Sequence, residues 1–338
     1  MPRSSRIDAP GAVHHIIFRG IDRRKIFEDN EDRKDFLDRL DIQMRETKTP
    51  CFAWALIPNH VHLLLRTGTV PIATVMRRLL TGYAVRFNRR HKRHGHLFQN
   101  RYKSILCEEE AYLLELVRYI HLNPLRARVV RSFEELDEYP YSGHSALVGT
   151  ISRPWQDVAT VLERFGGEDR ASSQEAYRAF VEDGADQETR PDLVGGGLLR
   201  SHGGWDAVKA LRRQKIRVMA DERILGDSEF VEKVLRHAEE DLIRRTRLKK
   251  HGYDMDKVAK RAASVFEVSV ADIYGGGKSR PRAKARSLFC YWATHELGKT
   301  AAELGRVLNL DQSTISKAAR RGEQLSRELG ITLEPQKS

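Results

Sequence analysis

Two stretches of the chain have the apolar density of core strands: "VHHIIFR" at 13–19 and "CFAWALIPNHVHLLLR" at 51–66. Between them "NEDRKDFLDRLDIQMRET" places Phe36, Leu37, Leu40 and Met44 at helical spacing. A second helical pattern follows in "VPIATVMRRLLTGYAVRFNRRHKRHG", with Ile72, Val75, Met76, Leu79, Leu80 and Tyr83 on one side. "HLFQNRYKSILC" again has strand character, and "EEEAYLLELVRYIHLNP" is a third helix whose acidic first turn suits its dipole. The order β-α-β-α-β-α predicts a small α/β sandwich with helices over one sheet, closed by "EYPYSGHSALVG". From 151 to 228 the pattern weakens: "SRPWQDVATVLERFG" and "SSQEAYRAFVEDG" read as short helices, and "RPDLVGGGLLRSHGG" as Gly-rich connection rather than a phosphate loop. From 229 to 330 the chain is helical, through "FVEKVLRHAEEDLIRRT", "MDKVAKRAASVFEV", "RAKARSLFCYWATHEL", "TAAELGRVL" and "QSTISKAARRGEQLSREL".

Composition adds a partner. Lys and Arg number 59 against 47 Asp and Glu in 338 residues, a formal charge of +12, which points to a polyanion, most commonly nucleic acid. The surplus is clustered. Between Pro71 and Cys107 stand Arg77, Arg78, Arg86, Arg89, Arg90, Lys92, Arg93, Arg101 and Lys103, with no Asp or Glu. Tyr83, Phe87, Phe98 and Tyr102 are interleaved with them. Cations for phosphates and rings for unpaired bases make this a candidate single-strand surface; the bland alternative is a solvated helix face, but such faces usually mix signs. Cys51, Cys107 and Cys290 have no metal or disulfide spacing and suit a reducing compartment. With neither a secretory signal nor a membrane-length apolar run, a soluble cytoplasmic protein is expected.

The strand at 51–66 carries a chemical oddity. In a β-strand His60 and His62 project side by side while Val61 and Leu63 point the other way. Such a pair can hold a metal, or be two ordinary half-buried histidines. In "RYIHLNP", Tyr119 and Asn123 are four apart and share a helix face. If that helix packs on the histidine strand, two imidazoles and an amide oxygen could hold Mg²⁺ or Mn²⁺ beside a phenol able to attack phosphorus once deprotonated. The competing readings are a core aromatic for Tyr119, and for Asn123 an N-cap before Pro124 at the first position of a new helix.

Together "PNHVHLLL", "GHLFQNRYKS" and "RYIHLNPLRARVV", in this order and spacing over about residues 5–150, closely resemble the HUH single-strand transposases, in particular the REP-associated tyrosine transposase branch. The resemblance implies a ferredoxin-like α+β sandwich and a metal-dependent single-strand DNA endonuclease and strand transferase. It implies His60 and His62 as metal ligands, Tyr119 as the nucleophile that forms a 5′-phosphotyrosine and frees a 3′-OH, and Asn123 as a third ligand where many relatives carry Gln. It also implies a Mg²⁺ or Mn²⁺ cofactor, hairpin-forming repeat DNA as substrate, and a homodimer.

The C-terminal stretch from "VSVADIYGGGKSRPRAKARSLFCYWATHEL" to "AELGRVLNLDQSTISKAARRGEQL" resembles the DNA-binding domain of the replication initiator DnaA, a helix-turn-helix. Asn309-Leu310-Asp311 reads as the turn with Asp311 as N-cap. Gln312, Ser313, Thr314 and Lys317 open the recognition helix, and Lys278 and Arg280 belong to a phosphate-binding stretch. The turn is one residue shorter than in the initiator and its usual histidine after the aspartate is replaced, so origin-box specificity does not transfer. The expected architecture is therefore an HUH tyrosine transposase catalytic domain over 1–150, a helical, Gly-rich connecting region over 151–228, and an all-α helix-turn-helix domain over 229–330 that binds duplex. The alternative from another class is a DNA-binding regulator with a vestigial catalytic site; intact His60, His62 and Tyr119 favour the enzyme. A zinc-stabilised structural protein fits poorly, since no Cys/His pair accompanies the histidines at suitable spacing.

Overall fold

The computed structural model describes residues 7–8, 11–68, 70–185, 193, 221, 223–275 and 279–334. By its internal contacts the chain divides into two compact units, residues 1–233 and 234–338: an α/β unit, then a helical one.

In the first unit the chain runs β1 (Val13–Arg19), α1 (Asn30–Thr47), β2 (Cys51–Ile57), β3 (His60–Arg66), α2 (Ile72–Arg90), β4 (Lys103–Cys107) and α3 (Glu109–His121). The 51–66 stretch is two strands, not one: Pro58 and Asn59 form a two-residue turn, and Ile57 pairs with His60 across the hairpin. The sheet order is β2-β3-β1-β4-β5, where β5 is the short Ile224–Leu225 segment lying parallel to β4. The other neighbouring pairs are antiparallel.

Side-chain alternation gives the sheet two different faces. One carries Ile16, Phe18, Trp54, Leu56, Val61, Leu63 and Leu65, and α1 and α2 bury it with Phe36, Leu40, Val75 and Leu79. The other carries Val13, Ala53, Ala55, Ile57, Leu64, Ile105 and Cys107, packed against Leu113, Leu116, Val117 and Ile120 of α3. Helices thus cover both faces. Beyond α3 come α4 (Asn123–Arg126), α5 (Phe133–Glu138), α6 (His144–Val148), α7 (Val158–Leu162) and α8 (Arg170–Glu182). Val161, Leu162, Tyr177 and Val181 belong to the same core as α3, so the described part of the expected connecting region is built into the first unit, and its β5 completes the sheet edge. Most of the Gly-rich stretch lies outside the described residues.

The helical elements that follow are α9 (Ser228–Lys250), α10 (Met255–Val265), α11 (Val270–Tyr274), α12 (Arg280–His295), α13 (Ala301–Leu308) and α14 (Gln312–Glu328). The second unit's core is formed by Leu288, Phe289, Trp292, Leu304 and Ile315. Gly322 lets α14 approach α12 closely: a Cβ there would lie 2.0 Å from the Ser287 carbonyl oxygen. Asn309 closes α13 in the left-handed region, and the Asp311 side chain accepts the Thr314 N–H at the start of α14, as expected for the turn. Among the described residues no helix is long and apolar enough to cross a membrane.

Candidate active site

His60 and His62 stand on the α3 face of the sheet, as their spacing predicts. Pairing in register sets Arg19 of β1 beside His60, and sets Ile17 of β1 between His62 of β3 and Lys103 of β4. His15, two residues before Ile17, therefore shares this face and lies diagonal to His62, within reach of a long side chain. Its Nε2 is 2.9 Å from His62 Nδ1 and its Nδ1 is 3.0 Å from the Leu193 carbonyl oxygen. The three imidazoles form a row, His15 to His62 and His62 to His60, with ring centroids 5.2 Å apart in each pair.

All three rings are kept neutral. Burial pushes His15 down to about 4, opposed by the Leu193 hydrogen bond and assisted by the Lys103 charge. Burial also pushes His60 down to about 4, with Arg19 adding to it. His62 is held well below its ordinary value by burial, and then by the neighbouring His15, His60 and Arg19. Neutral rings are the form a metal requires.

Hydrogen bonds then fix which nitrogen carries the proton. A carbonyl only accepts, so His15 Nδ1 donates to Leu193 and its Nε2 is a lone pair. His62 Nδ1–H donates to that lone pair, which leaves His62 Nε2 without a hydrogen. At His60, Nδ1 lies 2.7 Å from Asn59 Oδ1; the Asn59 amide nitrogen donates to the Arg23 carbonyl, so its oxygen faces the ring. His60 Nε2 is bare as well. The donor set fits a divalent ion: two neutral imidazoles, each with its other nitrogen donating to an acceptor that orients it. Among the described residues no three His, Cys, Asp or Glu side chains converge as a metal cage, and both nitrogens of His15 are engaged. An ion held by His60 and His62 would take its remaining ligands from amide oxygens, water or a bound phosphate.

Tyr119 joins this cluster from the last turn of α3. Its ring is edge-on to His62 at 5.7 Å and to His15 at 5.9 Å. It is half-buried against the core rather than sealed within it. The Arg126 guanidinium lies 5.8 Å from the Tyr119 ring centre. Asn123 does not cap the following helix. Its amide nitrogen donates to the Tyr119 and Ile120 carbonyl oxygens at 2.8 and 3.3 Å, which ties it to the end of α3 and leaves Oδ1 as the end able to meet a ligand.

The basic stretch divides into cations of different kinds. Arg90 is bound to Asp29, Glu31 and Asp32 at 2.7, 2.9 and 2.6 Å, and Arg86 lies within 3.8 Å of Glu31 and 3.7 Å of Asp35. These two tie α2 to α1, and the Arg90 hydrogen bond pulls Asp29 down to about 2. Arg93 lies over the Phe87 ring at 5.6 Å. Arg77, Arg89, Lys92, Arg101 and Lys103 are exposed, and Arg78 half-buried. The interleaved aromatics are not base platforms: Tyr83, Phe87 and Tyr102 are buried, and Phe98 packs edge-on against Phe18. Their nearness to the cations in sequence suggested stacking on bases, but Tyr83, Phe87 and Tyr102 belong to the core between the sheet and its α1–α2 layer. In the second unit Lys317 is exposed and Gln312 half-buried. The Ser313 and Thr314 hydroxyls donate to the Asp311 carboxylate at 2.6 Å each, which leaves them only as acceptors. Arg280 is the exposed first residue of α12, and Lys278 lies outside the described residues.

His15, Arg19 and Asn59 were not singled out by the sequence. The one available signal was "HH" inside an apolar strand.

A second histidine group lies deeper in this unit. Tyr177 Oη is 2.8 Å from His121 Nδ1 and 2.7 Å from His144 Nδ1; His144 Nε2 is 2.8 Å from Asp137, which also accepts from Arg178 at 2.8 Å.

Residues 10–123, about a third of the chain, match the family model described as IS200-like transposase. That segment contains His15, Asn59, His60, His62, Tyr119 and Asn123. The chain is also similar to a solved structure, the REP-associated tyrosine transposase bound to a REP hairpin, at 16% identity and a TM-score of 0.37, over 47% of this chain and 94% of that one. No curated protein matches the chain.

Proposed function

We propose that the first unit is a divalent-metal-dependent nuclease and strand transferase acting on single-stranded DNA, with Tyr119 as nucleophile. The observation that carries the reading is the Tyr119 ring set 5.7 Å from His62, whose Nε2 lone pair, like that of its neighbour His60, is kept bare by the hydrogen bond at Nδ1. The family match over the same residues supports it.

His60, His62 and the Asn123 amide oxygen would hold Mg²⁺ or Mn²⁺. Bound there, such an ion supplies positive charge to the phosphate oxygens. Tyr119 Oη loses its proton and bonds to phosphorus as the P–O3′ bond breaks. The 5′-phosphate stays on tyrosine and the 3′-oxygen leaves as a hydroxyl after taking up a proton. Attack by a 3′-OH on the phosphotyrosine reverses these bonds and joins strands. Arg19 and Lys103, on the same sheet face, suit the backbone phosphates, with Arg77, Arg89, Lys92 and Arg101 as further contacts. The second unit reads duplex through the start of α14, with the exposed Lys317 and the half-buried Gln312 as candidates whose polar ends are not taken up by Asp311. Because one tyrosine holds one end, exchanging two ends requires a pair of subunits.

The test is direct. Labelled single-stranded hairpin DNA incubated with the chain and Mg²⁺, then denatured, leaves a covalent adduct that EDTA abolishes. Duplex binding with no adduct on any single strand would instead mark a DNA-binding regulator.

A further inference from the structure

We propose that His15 is a positioning residue for His62: by accepting the His62 Nδ1–H it holds that ring in the tautomer and orientation that present the Nε2 lone pair to the metal. The inference rests on the metal-dependent reading for its purpose, but its geometry stands alone. The His15 to His62 bond is 2.9 Å long and entirely buried, with the rings stacked 27° from parallel. Its direction is set from outside the pair. The Leu193 carbonyl, 178 residues away in sequence, can only accept, so it draws the His15 hydrogen to Nδ1. The neutral His15 ring can then only accept at Nε2, and His62 can only donate.

Burial makes the arrangement selective. His15 is 0% and His62 4% exposed, so water is not at hand to replace either partner, and the opposite tautomer of His62 would set two lone pairs against each other. A carbonyl thus determines, through two rings on adjacent strands, which nitrogen of His62 is free. His60 has the simpler device of a neighbouring amide oxygen. His15 itself offers no lone pair to an ion, so it acts through His62.

The full chain carrying ¹⁵N-histidine, free of metal, should show His62 protonated at Nδ1 and bare at Nε2. His15→Gln can accept from His62 through Oε1 and donate to Leu193 through its amide, so it should keep that tautomer and bind Mn²⁺ within about threefold of wild type. His15→Leu fills the space without an acceptor and should lower Mn²⁺ affinity by roughly 10–100-fold, as loss of an orienting partner does. A purely structural His15 would instead lower the melting temperature in both variants alike with Mn²⁺ affinity unchanged. His62 found protonated at Nε2 in the wild type, or wild-type Mn²⁺ affinity in folded His15→Leu, overturns the proposal. Should His15→Leu not fold, the wild-type and His15→Gln spectra still decide it. A wild-type chain that binds no Mn²⁺ refutes the metal reading alone, and the His62 ring shifts then still uphold or overturn the pairing.

Discussion

The row His15–His62–His60 and the group His121–Tyr177–His144 are both assemblies of neutral rings in one unit whose ring nitrogens are set by directional hydrogen bonds, yet they end on different groups. In the second, His144 donates to Asp137, Tyr177 donates to His144, and His121 donates to Tyr177. One end is a carboxylate neutralised by Arg178; the other is His121 Nε2, buried with no hydrogen-bond partner among the described residues and close against Gly143. The phenol there is 0% exposed and burial raises its pKa far above the ordinary value. In the first row the phenol is half-buried with its ring against His62, and neither His60 nor His62 has a nitrogen sealed without a partner as His121 does. Histidines and a tyrosine in contact do not by themselves make a site. What separates the two is whether the last lone pair faces packed protein or a place a ligand can enter.

The largest expected difference is between the two tyrosines. Tyr119→Phe should reduce the covalent DNA adduct below detection while leaving DNA binding within about twofold, since only the nucleophilic oxygen is lost. Tyr177→Phe should leave adduct formation intact and lower unfolding stability by about 1–3 kcal/mol, because it strands the His121 and His144 nitrogens in the core. Denaturing gels and urea titrations measure the two effects. A Tyr119→Phe chain that still forms adduct, with Tyr112 or Tyr102 as the next candidates, would dissolve the distinction.

Metal affinity separates the clusters next. His60→Ala and His62→Ala should each lower Mn²⁺ affinity beyond the ~10–100-fold typical of losing an orienting neighbour, whereas His144→Ala should leave it unchanged in the folded fraction. Calorimetric titration with Mn²⁺ checks this, and equal losses in all three variants would place the ion elsewhere.

Which parts of this were legible in the sequence follows from the range of the interactions. Period-2 alternation at His60 and His62 is local, and it holds; the four-residue step from Tyr119 to Asn123 is local too, but it crosses the end of α3, so Asn123 opens α4 and meets the Tyr119 backbone carbonyl. The Pro58–Asn59 turn was hidden because the residues on both sides are apolar, so one strand was read where there are two. His15 could be assigned only once the β1–β3 register was known, and its partner Leu193 lies in a stretch with no periodic signal. Arg90 looked like part of a basic surface because its acids are 58 or more residues upstream, across α1. Tyr83, Phe87 and Tyr102 are close to the cations in sequence but lie in the core; for Tyr83 the apolar side of its helix was the better guide, and for Tyr102, beyond α2, only the tertiary packing decides. In the second unit capping is local again, and Asp311 was legible for that reason.

Acid should then reveal what the clusters share. In the folded chain His15 and His60 stay neutral down to about pH 4, and His62, His121 and His144 are likewise held below their ordinary value by burial. In the unfolded chain such rings take a proton near 6.5. Between about pH 6.5 and 4 the unfolded state therefore binds more protons, and stability falls as pH falls, by up to about 1.4 kcal/mol per pH unit for each ring. Replacing a histidine of either group with glutamine should flatten the slope. A slope unchanged by substitutions in one group would mean that its rings are charged in the fold.

The smallest effect should come from Asn123. Its amide nitrogen ties down the last carbonyls of α3 and its oxygen is the third candidate ligand. Asn123→Ala removes both, but each has a substitute. Water can take one coordination position, and at this half-buried place water can also reach the freed Tyr119 and Ile120 carbonyls, so the loss of two neutral hydrogen bonds should cost about 1–2 kcal/mol of stability at most. Metal affinity should fall less than in His60→Ala or His62→Ala, and adduct formation should slow without vanishing. Asn123→Gln extends the amide by one methylene; it keeps a carboxamide oxygen but moves the nitrogen away from its carbonyl partners. If the oxygen matters most, Gln should restore metal affinity and not stability; if the tie to α3 matters most, Gln should restore neither. Adduct rates at saturating and limiting Mn²⁺ distinguish the two, because only the ligand role is relieved by added metal. A loss as complete as that of Tyr119→Phe would mean that the end of α3 itself, and not the pair of imidazoles, sets where the phenol stands.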